Sequence, residues 1–161
     1  MRNQTCCFTG HRKLPSGALP AIRAGLEREI KAFLYRGGRY FGVGGALGFD
    51  TLAAQTVLDL KGEFPQIRLI LVLACADQAK LWPREDVVRL GRIRAEADKT
   101  VVLAPAYTPG CMHARNYHLA RHSALCICYM TREFGGTFHT VMCCKELGVQ
   151  VVNLADSIGN Y

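Results

Sequence analysis

The chain has 161 residues, half of them hydrophobic and 20% charged, with a net charge of +7; this composition excludes disordered, collagenous and coiled-coil classes. The longest purely apolar run, residues 69–76, is far short of the about 20 residues that span a bilayer. Residues 1–12 carry no apolar signal-peptide core, so a cytoplasmic protein without membrane contact, built as a single domain over 1–161, is expected.

Short apolar runs alternate with amphipathic stretches, the pattern of a mostly parallel Rossmann-like α/β sheet with helices on both faces. Residues 5–8 read as the first strand, which ends at Thr9, Gly10, His11 and Arg12. In the helix expected over 17–36, Leu19, Ile22, Leu26, Ile30 and Phe33 form one apolar stripe, while Arg23, Glu27 and Lys31 share another face. Residues 39–43 make a second strand running into Gly44, Gly45, Ala46, Leu47, Gly48, Phe49 and Asp50. A helix over 51–61 follows, with Asp50 at its N-cap. Residues 67–74 read as a strand covered on both faces. Pro83 starts a helix whose Val87, Leu90, Ile93 and Ala97 face inward. A strand over 100–103, a helix over 113–122, a strand over 124–130, a helix from Gly135 to about 147 and a last strand over 149–154 complete the pattern.

Eight of the basic residues fall within 2–39 against only Glu27 and Glu29, whereas the rest of the chain is nearly balanced. Such an excess suits either an anionic partner or a solvated helix face. The eight cysteines form no CxxC pair and no zinc-finger spacing, so they read as small apolar filling, with Cys75 and Cys111, near expected loops, as the reactive pair. His118 and His122 are spaced i,i+4 on the helix that also carries His113, but no HExxH glutamate accompanies them. No metal site and no cofactor are expected.

Ligands of open parallel sheets bind outside the carboxyl ends of the strands. Three glycine-containing turns are expected there: Thr9 to Arg12, Gly44 to Asp50, and Gly135, Gly136 and Thr137. Glycine admits close approach, and a following helix offers free N–H groups to phosphate. Neither GxxxxGK[ST] nor a GxGxxG after the first strand is present, which argues against a P-loop ATPase and ordinary NAD(P) binding. Near the same edge, Arg12 suits bidentate phosphate binding, Asp50 suits a ribose hydroxyl, a base or a helix cap, and Arg115, beside Asn116, suits phosphate, pairing with Asp50, or a surface ion pair. Trp82 suits base stacking or simple packing.

Taken in order, TGHR (9–12), GGALGFD (44–50), the 78–82 segment, MHARN (112–116) and GGT (135–137) resemble the SLOG superfamily, which takes in Smf/DprA DNA-processing proteins and LOG phosphoribohydrolases. Its stand-alone bacterial YspA/YpsA-like branch is the most similar. The resemblance implies a Rossmann-like fold binding a nucleotide-type small molecule as a sensor or regulatory module. Arg115 takes the position of the arginine in the LOG MHxRK-like segment. Gly136 and Thr137 match the GT of PGGxGTxxE, but its glutamate position falls on Thr140. A hydroxyl cannot supply the carboxylate that N-glycoside cleavage uses, so phosphoribohydrolase activity is the alternative, with Asp50 and Arg115 as its catalytic residues. Single-stranded nucleic-acid binding of the DprA type ranks lowest, because no aromatic-plus-basic platform is visible. The apolar composition also allows a homo-oligomer.

Overall fold

Six strands form one sheet in the computed structural model, which describes residues 1–159: β1 (Thr5–Gly10), β2 (Tyr40–Val43), β3 (Arg68–Leu73), β4 (Lys99–Val102), β5 (Leu125–Tyr129) and β6 (Gln150–Asn153). Their order is β4-β3-β2-β1-β5-β6 and every neighbouring pair is parallel. The connecting helices are α1 (Leu19–Tyr35), α2 (Phe49–Leu60), α3 (Arg84–Glu96), α4 (Cys111–Arg121) and α5 (Gly136–Glu146). The α/β class and parallel sheet expected from the alternating runs are thus present. No described helix is long and apolar enough to cross a membrane.

Because successive strand residues point to opposite faces, β1 and β5 each feed two cores. Cys6, Phe8 and Ile127 pack with Ile22, Leu26 and Ile30 of α1, Val57 of α2 and Ile93 of α3. Cys7, Cys126 and Cys128 pack on the other face with Leu119 of α4 and Val141 and Cys144 of α5. All five residues of β5 are buried, as a central strand covered on both sides requires.

Three local readings need correction. The helix expected to begin at Thr51 begins at Phe49, so Asp50 is inside the first turn and Gly48 occupies the cap position. Gly48 has φ +72°, and a β-carbon there would sit 2.2 Å from the Arg12 carbonyl oxygen; the chain crosses too tightly for any other residue. In α3 only Ile93 is fully buried: Leu90 and Ala97 are partly covered, while Val87 is 41% exposed. The helix packs against α2 and has one stripe, not a full face, to bury. Cys75 and Cys111 are also buried, packed together beside Ala74, where the segments after β3 and β4 meet through the Ala76 N–H donating to the Ala104 carbonyl at 3.0 Å. Burial, then Asp77, pushes the Cys75 thiol up to about 11, so it is not a reactive thiolate.

The basic excess divides as well. On α1, Arg23 pairs with Glu27 at 3.0 Å and with Asp59 of α2 at 2.8 Å, and Lys31 reaches Glu63. That share is solvated helix surface. Arg12 and Lys13 point elsewhere.

Candidate functional site

The chain runs outward from β1 to β4, then crosses back to place β5 on the other side of β1. This reversal opens a crevice between the carboxyl ends of β1 and β5, the usual ligand position in such sheets. A cleft of about 430 Å³ lies there. From the β1 end it is lined by Thr9, Gly10, His11, Arg12 and Lys13, and from the β5–α5 turn by Arg132, Phe134, Gly136 and Thr137. The first two turns of α4 and the first turn of α2 add Met112, His113, Arg115, Asn116 and Asp50. Four of these side chains are arginine or lysine, and Asp50 is the one carboxylate among the described lining residues.

Arg115 is the most constrained of the cations. It is 5% exposed, which excludes the surface ion pair weighed from sequence. Its Nη1 donates to the Gly44 carbonyl and, at 3.5 Å, to Gln78 Oε1, and its Nε donates to Asn116 Oδ1 at 2.9 Å. Gln78 braces the same carbonyl through Nε2 at 2.9 Å and accepts the Ala74 N–H at 2.8 Å. Nη2 has only the Met112 sulfur at 3.8 Å, a weak acceptor, among described partners, so one of its hydrogens is left for an oxyanion. The ends of β2 and β3 therefore fix a guanidinium with one open edge.

Asp50 is 6% exposed and accepts the Ala46 N–H at 3.1 Å. Burial raises its pKa, and Arg115, the Ala46 N–H and Arg12 oppose the rise. Burial conversely lowers that of Arg115, with Asp50 opposing. The two feel each other's charge without a direct ion pair among the described residues.

His11 ties the two sides of the crevice together. Its Nε2 accepts the Thr131 N–H at 3.0 Å, which requires the neutral ring with its proton on Nδ1. Burial, then Arg132, lowers its pKa and keeps it neutral. The ring meets Tyr129 edge to face, 6.1 Å between centroids.

At α5, no side chain caps the helix N-terminus, and Gly135 holds the cap position with φ +91°. The first-turn N–H groups therefore face the cleft free. A β-carbon at Gly136 would meet nothing within 4 Å. Thr140 is 1% exposed and its hydroxyl donates to the Gly136 carbonyl at 3.0 Å, so it supports this turn from behind and does not reach into the cleft.

Not every residue marked from sequence lines the cleft. Gly44 lies beneath Arg115, and Gly45 packs near Leu71, Leu73 and Leu90. Gly48 lines a separate groove beside Leu52. Trp82 lines an adjoining groove of about 620 Å³ with Lys80, Leu81 and Tyr107, which shares Arg12, Ala46, Met112 and Arg115 with the cleft. Sequence reading missed Lys13, His113, Arg132 and Phe134. The guanidinium of Arg132 stacks 5.2 Å from the Phe134 ring, and His113 stacks on His139 at 3.9 Å. Proximity in sequence to the three glycine turns was the available signal for Lys13, Arg132 and Phe134.

A three-layer fold with a cationic cleft at its switch point is the architecture of a Rossmann-like ligand-binding domain. The model of the YspA SLOG family matches residues 7–145, and the chain belongs to that family. Among curated relatives, a UPF0398 protein of Latilactobacillus sakei is 23% identical over 138 residues, covering 80% of this chain and 74% of that protein. A UPF0398 protein of Brevibacillus brevis is 32% identical over 80 residues, covering 50% of this chain and 43% of the relative. Two solved structures share the fold. DNA processing protein A of Helicobacter pylori, described for its single-stranded DNA binding mode, has TM-score 0.65 at 17% identity, covering 93% of this chain and 64% of its own. DNA processing protein A of Streptococcus pneumoniae has TM-score 0.62 at 20% identity, with 91% and 48% covered. This chain thus spans less than two thirds of either solved chain.

Proposed function

We propose that this chain is a cytoplasmic single-domain nucleotide-binding module with a sensory or regulatory role. One observation carries the reading: Arg12, Lys13, Arg115 and Arg132 converge with the uncapped N-terminus of α5 on one cleft that holds a single carboxylate. Such a site favours a compact anion, since helix N–H groups and forked guanidinium donors both fit phosphate oxygens. The volume suits a mononucleotide. The phosphate sits between Arg115 and Gly136. The base extends into the adjoining groove, where the half-buried Trp82 and exposed Tyr107 offer ring faces, and Asp50 accepts from a ribose hydroxyl.

A thermal-shift comparison of nucleoside mono- and diphosphates with the matching nucleosides tests this. The phosphorylated compounds stabilise the protein and the nucleosides do not. Equal shifts from both sets, or none from either, would contradict it.

The likeness to DNA processing protein A favours a second reading, single-stranded nucleic acid laid across the same cationic edge. It predicts steep weakening with salt, because each neutralised phosphate releases counterions. A nucleotide held at one site gives a shallow dependence. This difference separates the two readings.

A further inference from the structure

The second core holds a cluster of thiols that linear spacing could not reveal. Cys7 of β1 lies in register with Cys126 of β5, and Cys144 of α5 closes over both. Their three sulfur atoms lie within 4.8 Å of one another, and all three residues are 0% exposed. A single buried cysteine serves as a small hydrophobe. Three that converge set a soft donor at each corner of a triangle. With bonds to sulfur of about 2.3 Å, a three-coordinate centre separates its sulfurs by about 4.0 Å when planar and about 3.5 Å when pyramidal, so the cluster closes on an occupant by contracting about 1.3 Å or less.

Charge then selects the occupant. The surroundings are apolar: Leu119, Ala120, Val141 and Val149 are all buried here. Three thiolates around a divalent ion would leave a net negative charge in this core, and an unpaired buried charge is costly. An occupant that leaves the filled site uncharged is therefore the one this apolar core favours. A trivalent centre is such an occupant.

We propose that Cys7, Cys126 and Cys144 form a trigonal tris-thiolate site for a trivalent thiophilic metalloid, of which arsenite is the simplest example. Three S–As bonds form and three As–OH bonds break. Each thiol proton leaves with a hydroxide as water, and arsenic stays trivalent throughout. Both the entering As(OH)₃ and the bound centre are uncharged, which suits passage into an apolar core. Loading is slow, because α5 must lift from the sheet to admit it.

Native mass spectrometry after prolonged incubation of the reduced protein with arsenite tests the site, together with arsenic X-ray absorption on the product. One arsenic per chain with a shell of three sulfurs is expected, and alkylation of the loaded protein under denaturing conditions should spare Cys7, Cys126 and Cys144. Cys143→Ser, at the partly exposed neighbour, retains the adduct, and Cys144→Ser loses the three-sulfur shell. No adduct with the wild-type chain, a shell of fewer than three sulfurs, or protection of other cysteines would overturn the proposal. The wild-type absorption spectrum decides the matter even if Cys144→Ser fails to fold.

Discussion

The guanidinium of Arg115 occupies the space that a β-carbon at Gly44 would fill: built there, it would lie 2.6 Å from Cζ and Nη1. The close approach lets Arg115 rest on the Gly44 carbonyl while Asn116 and Gln78 hold its flanks. The glycine at the end of β2 thus serves the site from beneath by seating its buried cation.

Substituting this glycine should therefore affect both stability and binding. Gly44→Ala overpacks the seat and costs about 1–3 kcal/mol, with Arg115 displaced and nucleotide affinity reduced. Thermal denaturation and titration calorimetry on the same preparation give both readings.

Gly136→Ala separates the two effects. The open space around Gly136 predicts an unchanged melting temperature for the free protein. A ligand seated on the α5 N-terminus would meet the new methyl group, so affinity falls while stability stays. Unchanged affinity would place the ligand away from this turn.

Acid should loosen the crevice. The folded-state pKa of His11 is lowered, as are those of His118 and His139, with burial the leading cause each time. Below the unfolded-state value of about 6.5, the unfolded chain binds more protons than the folded one, so stability declines as pH falls through that point. Protonated His11 can no longer accept from the Thr131 N–H. Denaturant midpoints across pH 5–8 read the slope, and His11→Gln flattens part of it.

The cleft holds one carboxylate, and that carboxylate is bonded to the Ala46 N–H at the foot of α2, while Thr140 faces its own helix turn. Incubation with nucleoside monophosphates should therefore release no free base by chromatography. Release that disappears in Asp50→Asn would make the protein a phosphoribohydrolase instead.

How far the sequence disclosed this arrangement follows from what each signal reports. Alternation of apolar runs with helical stripes was enough for the parallel sheet, because 67–74 and 124–130 are apolar almost throughout. The inward face assigned to α3 was too wide, since the period does not reveal how little of this helix its neighbours cover. Asp50 was placed two positions too far out, because Gly48 takes the cap position itself and the helix starts at Phe49. Thr9, Arg12, Arg115, Asn116 and Gly136 do converge, as the glycine turns suggested. Arg132 and Phe134 adjoin a glycine turn already marked, but local pattern does not tell which side chains flanking a turn face into the crevice. The meeting of Cys7, Cys126 and Cys144 is hidden because it depends on β1 lying beside β5, a strand order that local pattern does not disclose.

Calorimetric titration of nucleoside mono- and diphosphates into the wild-type chain and Arg115→Ala tests the central claim most directly. Binding tighter than millimolar is predicted for the wild type, and loss of a charge-assisted contact of about 1.5–3 kcal/mol should weaken it roughly tenfold or more in the variant. No binding at millimolar concentration, or equal affinity in the two proteins, would contradict the account.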